Sequence, residues 1–367
     1  MIGTGRIERY VVGRVMGSVG AALAVISAVI LLVEFVDLSR GVGVKADVAV
    51  SQVFWLTLLR APSLIQVLLP FVFLFGGIGA FVGLNRRSEL VAMRAAGVSA
   101  WRFILPSAGG AFVIGILAVI LLNPVASALN SRFEAERNHL MQNYLGDIPQ
   151  DIWLRQGDDR TQIVIHAKAR DTVQGYVRLR GVSLFIYTKS PTGAPVFRQR
   201  IEASEARLMP GFWQLKEVRE ATAGESSVHS DTLSIRSTLD AESAMERFTS
   251  PEAISFWRLP EAIRLTEQAG FSAAGYRLRL FQLLATPVLY AAMSILAAAF
   301  SLRLARLGGL AGLAGAGVAL GFVLFFFNQF AGALAKANII PLFAAAWAPA
   351  LVALLAGLSL LFFTEDG

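Results

Sequence analysis

The side chains of this chain that could do chemistry are polar groups stranded among apolar ones. Arg60, Gln66, Gln282, Asn328 and Gln329 fall in or beside long hydrophobic runs, and Glu34 and Asp37 fall near the end of another. Amides in such places read as hydrogen-bonding groups between helices, the reading favoured for Gln66 and Gln282. A cation is different. Arg60 needs an anionic partner, whether a lipid headgroup, an acidic side chain or a substrate. Arg132, Arg137, Arg277 and Arg279 are expected at the same level. Each reads either as a headgroup anchor or as part of a basic ring that binds a phosphorylated lipid.

Catalytic patterns are missing. No GxxxxGK[ST] phosphate loop occurs, and the glycines and lysine of Gly41–Lys45 have the wrong spacing. The glycines from Gly308 to Gly321 lie in an apolar run and read as helix-packing positions. There is no cysteine, and His139, His166 and His229 lack metal-ligand spacing. No cofactor or metal is expected. The chain reads as something other than an enzyme, so energy for any work on a substrate comes from another chain.

The most distinctive short segment is Asn85–Arg102, NRRSELVAMRAAGVSAWR. It joins two runs long enough to cross a bilayer, Val53–Leu84 and Phe103–Leu122. Its arginines Arg86, Arg87, Arg94 and Arg102 put it on the cytoplasmic side. Asn85 or Ser88 can cap a short helix, Glu89 suits its first turn, and Gly97 suits a left-handed stop. Leu90, Val91 and Met93 make a small apolar face. Two readings stand: a surface loop whose arginines only fix topology, or a docking helix for a cytoplasmic partner that covers that face.

These residues need elements to hold them. The chain has 367 residues, 55% of them hydrophobic, which places it among integral membrane proteins. Its net charge of +7 fits membrane topology and anionic lipid better than nucleic acid. Val15–Phe35 reads as an uncleaved first span with Asp37 ending it, and Val53–Leu84 as an overlong second that starts above the bilayer or breaks near Arg60 and Pro62. A third runs from Trp101 to Asn123 and stops at Pro124. Leu278–Leu302, Leu310–Leu334 and Ile340–Phe363 complete six. Short loops carry Arg6, Arg9, Arg14, Arg86, Arg87, Arg94, Arg102, Arg303 and Arg306 on one side, against Arg40, Lys45 and Lys336 on the other. That imbalance sets the N-terminus inside.

Between the third and fourth spans the pattern changes to short alternating runs. Gln162–Ala167, Val177–Tyr187, Phe212–Val218 and Thr232–Ser237 read as strands, with turns at Gly157-Asp158-Asp159, Ser190–Pro195 and Pro210-Gly211. Pro251–Ala269 reads as an amphipathic helix leading back to the membrane. The fold expected is an α-helical integral membrane protein with six transmembrane helices, three plus three, and an inserted periplasmic β-jellyroll-like domain. Its parts are residues 1–130 with a cytoplasmic helix at 86–97, residues 131–270, and residues 271–367.

The segment RRSELVAMRAAGVS, with the three-plus-three layout and the inserted β module, resembles the lipopolysaccharide-export permeases, the family of LptF and LptG. The resemblance covers essentially the whole chain. The run SFWRLPEAIRLTEQAGFSAAGYRLRLFQLLATPVLYAAMSILAAAFSLR and the later AAWAPA are more similar to the LptG side. The resemblance implies a subunit of an ABC transporter in the bacterial inner membrane that takes lipopolysaccharide out of that membrane. It implies an LptF-type partner in a heterodimer, a cytoplasmic LptB-type ATPase dimer, a single-span LptC-type protein and a periplasmic LptA-type bridge. Arg86, Arg87, Ser88, Glu89, Leu90, Met93, Arg94 and Gly97 would form the helix that couples to the ATPase. The first and fifth helices would line a lateral opening. Where LptG proteins often carry a basic residue near the end of the first helix, this chain has Glu34, so phosphate contacts would shift to Arg60, Arg132 or their neighbours, or use a bridging cation.

Elementary energetics favours such a design. Moving an acyl chain into water costs about 0.8 kcal/mol per methylene, so several chains of roughly ten methylenes cost several tens of kcal/mol. The route must stay apolar. Interior strand positions such as Leu184 and Ile186 then either line that route or pack a core. Two other classes compete with the transporter: a membrane scaffold or mechanical transmitter whose external module binds a partner, and a membrane-bound enzyme with a catalytic external module.

Overall fold

A computed structural model describes residues 4–43, 48–145, 152–157, 161–173, 176–189, 195–209, 211–222, 227–237, 251–268, 272–304 and 310–365. Lys45, Asp158, Asp159, Ser190–Ala194, Pro210, Ala269, Arg306 and Gly308 lie outside the described residues. The chain divides into two compact units, one of residues 1–137, 251–259 and 274–367, the other of residues 138–250 and 260–273.

The first unit is a helix bundle. Its helices are α1 (Thr4–Leu38), α2 (Val50–Arg86), α3 (Glu89–Ala95), α4 (Ala100–Leu117), α5 (Asn123–Leu145), α7 (Ala274–Leu304), α8 (Leu310–Lys336) and α9 (Leu342–Glu365). A wide π turn, Ala118–Leu122, joins α4 to α5 without a break. Six helical stretches among the described residues are long and apolar enough to cross a membrane. In chain order, three precede the strands and three follow them.

One of two alternatives for the second span drops out here, and the expected end of the third span fails. α2 does not break at Arg60 or Pro62; it runs through Pro62 and Pro70 as one helix. At 1.5 Å per residue it is about 55 Å long, well beyond a hydrocarbon core of about 30 Å. Spanning helices tolerate proline where other groups or a local change of helix geometry re-satisfy the freed backbone carbonyl. Nor does the third span stop at Pro124. A π turn precedes it, and helix continues to Leu145, so residues 131–145 are helical.

The bundle core is assembled by close approach. A Cβ on Gly76 would sit 2.6 Å from Val19 Cα, joining α1 to α2. One on Gly115 would sit 2.6 Å from Pro287 Cα, joining α4 to α7. Phe73 packs on Tyr290 at 5.0 Å, and Ala292, Ala297, Ala298 and Ala299 of α7 are fully buried. Small residues let backbones meet where lipid supplies no hydrophobic drive.

The second unit holds one antiparallel sheet of β1 (Ile152–Gly157), β2 (Thr161–Val173), β3 (Tyr176–Lys189), β4 (Pro195–Met209), β5 (Phe212–Thr222) and β6 (Val228–Arg236), each pairing with the next. The sequence reading names stretches within β2, β3, β5 and β6. The sheet is curled. Gln156 on β1 accepts hydrogen bonds from Trp213 Nε1 at 3.2 Å and Ser237 Oγ at 2.8 Å, and its amide donates to the Arg236 carbonyl at 3.4 Å. The first strand thus meets the last two.

The curl has a corner. Lys168, Gly181, Ser204, Glu217 and Asp231 form one transverse row at which the pairing of all four ladders is interrupted. Gly181 and Glu217 there have φ of +60° and +51°. Burial changes phase at the same row: Leu179 gives way to Val182 and Leu184, Ile201 and Ala203 to Ala206 and Leu208, Trp213 and Leu215 to Val218. The register is the same on both sides of the row, so a shared interruption without an inserted residue lets the strands turn while one face stays inside. The helix expected over Pro251–Ala269 is instead a short 3₁₀ turn, Pro251–Ala253, followed by α6 (Leu259–Gln268).

Candidate functional site

At the end of the bundle where α1 finishes and α2 begins, Arg60 Nη1 donates to Glu34 Oε1 at 2.7 Å. The Arg60 guanidinium also lies over the Phe133 ring of α5, 5.2 Å from its centroid. The partner demanded by a cation in an apolar run is therefore an acidic side chain of the same chain. Glu34 is buried and Arg60 is 35% exposed, so one face of the arginine remains open. Deeper in, Asn123 Nδ2 donates to Gln66 Oε1 at 3.4 Å, and Asn123 Oδ1 accepts the Phe256 backbone N–H at 2.7 Å. Pro124 leaves the Ile120 carbonyl without its helical donor, and Trp257 Nε1 supplies one at 3.4 Å. The hydrogen-bonding role expected of Gln66 is seen here, but its partner Asn123 and the links to Phe256 and Trp257 escaped sequence reasoning; the signal was an Asn-Pro pair at the end of an apolar run.

Arg132 and Arg137 are exposed on α5. Arg277 and Arg279, two residues apart, fall on opposite sides of α7: Arg277 is exposed, while Arg279 is half-buried with its Nε lacking a hydrogen bond. Only Arg60 is joined to Glu34.

Between α1, α2 and α8 an apolar cavity of about 290 Å³ opens, lined by Ile26, Leu68, Phe71, Phe75, Gly321, Phe322 and Phe325. Its rims continue into apolar surface, since Val29 and Leu32 of α1 and Phe326 and Phe330 of α8 are all exposed. Such a wall suits an alkyl chain, not a polar solute.

At the opposite end of the bundle lies α3. Ser88 precedes it in the left-handed conformation, φ 57°, and makes no capping hydrogen bond; nor does Asn85 occupy the cap position. The turn out of α2 imposes this geometry on Ser88. Gly97, φ +80°, does end the helix: Gly97 N–H donates to the Arg94 carbonyl and Val98 N–H to that of Met93. The expected apolar face divides in two. Leu90 is 2% exposed and belongs to the bundle core, with Met93 packed beside it, whereas Val91 is 60% exposed. The outward face is Ser88, Val91, Ala92, Ala95 and Ala96, flanked by exposed Arg86 and Arg87. Glu89 is held from behind: Tyr10 Oη donates to Glu89 Oε2 at 2.9 Å and accepts from Arg14 Nε at 3.1 Å. Arg102 Nε donates to Glu8 Oε1 at 3.3 Å.

The family described as lipopolysaccharide export system permease LptF/LptG matches residues 9–362. This chain belongs to that family. It is similar to the lipopolysaccharide export system permease protein LptG of Escherichia coli strain K12, 22% identical over 92% of each chain. It is likewise similar to the protein of that name from Haemophilus influenzae, 22% identical over 94% of this chain and 95% of the other. The match spans bundle and sheet alike, so the permease is a multi-pass membrane protein with a sheet inserted mid-chain.

In the sheet of the permease, Leu184 is fully buried beside Ile165, Ile201 and Trp213, and Ile186 is half-buried at the edge of the same cluster. In this conformation Leu184 packs a core and offers no surface to a passing chain. The Gln156 clasp, which no periodicity announces, holds that core shut.

Proposed function

We propose that this permease is the LptG-type subunit of an ABC transporter in the bacterial inner membrane that extracts lipopolysaccharide and passes it to a periplasmic bridge. It crosses the membrane six times, three spans on each side of a periplasmic domain of jelly-roll type. An LptF-type subunit completes the heterodimer, an LptB-type ATPase dimer hydrolyses ATP, and LptC- and LptA-type proteins receive the lipid. The observation that carries the reading is that one family match runs through the bundle and the sheet together.

The geometry fits each role. The apolar cavity between the first, second and fifth spans is sized for part of an acyl chain. Arg60, neutralised by Glu34 yet open on one face, holds its position without an unpaired charge until a lipid phosphate competes for it. Arg132, Arg137 and Arg277 are exposed and serve the same anion; Arg279 serves α7 packing. The curled sheet takes acyl chains once its clasp opens, with Leu184 and Ile186 then on the route. α3 docks on the ATPase through its smooth outward face, with Arg86, Arg87, Glu89 and Arg94 setting the charge pattern, while Leu90, Met93 and Gly97 hold its shape.

The test is Val91→Asp, a change on an exposed position that leaves the bundle core alone. Co-purification of the ATPase dimer is expected to fall at least about tenfold, a loss of roughly 1.4 kcal/mol. ATP-driven release of lipopolysaccharide from vesicles should fall with it. Unchanged association together with unchanged release would overturn the docking role.

A further inference from the structure

A second cavity, of about 400 Å³, lies between the first turns of α1 and the last turns of α2. Its walls are Gly13, Arg14, Gly17 and Ser18 from α1 and Gly79, Ala80, Gly83, Leu84 and Arg87 from α2, so two arginines share it with glycines and two apolar side chains. It is an open space, because a Cβ on Gly13, Gly17 or Gly83 would meet no atom within 4 Å. Two cations thus face one cavity from two helices. Tyr10 fixes Arg14 through its Nε, leaving both terminal nitrogens for another acceptor. The Arg87 backbone N–H donates to the Gly83 carbonyl at 3.3 Å, but its guanidinium makes no hydrogen bond or ion pair among the described residues. The nearby carboxylate, Glu89, takes the Tyr10 hydroxyl and does not line the cavity.

We propose that this cavity binds a phosphate ester. Two planar guanidiniums approaching from different helices can each grip a pair of tetrahedral phosphate oxygens, which a single carboxylate cannot offer. The Ser18 hydroxyl adds a third donor. The volume falls in the range of small-ligand sites. The phosphate comes either from an anionic phospholipid headgroup of the adjoining leaflet or from a soluble phosphate. Its occupancy braces the start of α1 against the α2–α3 turn. This assignment concerns a different end of the bundle from the apolar cavity and does not depend on the transport reading.

The experiment is native mass spectrometry of the full-length permease in micelles doped with palmitoyl-oleoyl phosphatidylglycerol or with the phosphatidylcholine of the same chains. Wild type should retain the anionic lipid at least about fivefold over the neutral one. Arg87→Gln and Arg14→Gln should each remove most of that preference. Gly83→Leu should do so without touching a charge, by filling the space. Arg9→Gln, an exposed arginine on α1 outside the cavity, should keep it. Loss of bound lipid on adding millimolar inorganic phosphate, with phosphate adducts appearing on wild type alone, assigns the site to soluble phosphate. Persistence of the lipid under the same addition assigns it to the headgroup. Equal retention in wild type and all three cavity variants, or equal loss in Arg9→Gln, overturns the proposal.

Discussion

The two units of this permease are built on opposite rules. In the sheet the large apolar side chains, Trp213, Leu179 and Leu184, are fully inside, and charged residues such as Arg200 and Glu202 are outside. In the bundle the smallest residues meet at the centre, Gly76 on Val19 and Gly115 on Pro287, while Val25, Leu32, Phe322 and Phe363 face outward. The sheet is held by removal of apolar area from water. The bundle draws no such force from a lipid surround, so contact distance and buried polar pairs hold it. Each unit thereby names its solvent. The contrast also predicts which substitutions each tolerates.

The largest effect should come from Gly115→Ala. The added carbon would lie 2.6 Å from a backbone atom of α7, a contact that side-chain motion cannot relieve. Overpacking of this kind costs about 3 kcal/mol or more. Thermal unfolding in detergent should show a large drop, while Gly109→Ala, with nothing within 4 Å, should behave as wild type. If both behave alike, the bundle is not held by close approach, and the contrast with the sheet is lost.

Next comes the polar pair. Glu34→Gln leaves Arg60 without its counter-ion in a partly apolar place, and partial exposure of Arg60 reduces the loss to about 2 kcal/mol. The exchange Glu34→Arg with Arg60→Glu should recover much of it, measured by the same unfolding. An unchanged single variant would mean that the arginine finds another anion, which sharpens the case for lipid phosphate at this place.

The sheet has its own polar pin. Gln156→Leu strands the buried Trp213 N–H and Ser237 hydroxyl, at a cost of about 1–2 kcal/mol. Proteolysis under native conditions should cut the sheet sooner, and faster release of the β1 edge should be visible by hydrogen exchange. No change in exchange at β1 would show that the curl closes without its clasp.

Much of this was legible in the chain before any coordinates. Apolar length announces the spans, period-two runs announce four of the six strands, and Gly97 announces the end of α3 because few other residues accept φ of +80°. Proline was the poor guide. Pro62 and Pro124 invite a reading as breaks from the aqueous cost of a lost hydrogen bond, yet α2 runs on through Pro62, and the Trp257 indole donates to the Ile120 carbonyl that Pro124 leaves short. α3 misled for another reason: seven residues are too few to show which apolar face turns inward, so Leu90 and Val91 looked alike. Pairing across the chain, Arg60 with Glu34 or Gln156 with Trp213, has no local signature. The corner of the sheet did leave a trace, since Leu179 is in odd phase and Leu184 and Ile186 in even phase, and only an interruption between them keeps all three on one face.

The smallest effect lies at that corner. Glu205, one residue past the row that turns the sheet, accepts a hydrogen bond from the Arg207 guanidinium, which holds its carboxyl below the usual carboxylate range. A folded value lower than the unfolded one means that the contribution is complete at neutral pH, above the unfolded value. It is lost as pH falls through the folded value. Arg207 is 43% exposed, so the pair contributes less than about 1 kcal/mol. Glu205→Gln should therefore lower sheet stability slightly at pH 7 and less so at a pH below the folded value, measured by hydrogen exchange of the sheet amides. A deficit of the same size at both pH values would assign the role of Glu205 to packing beside the corner, and the outer surface of the sheet would then differ less from the bundle interior than the two building rules require.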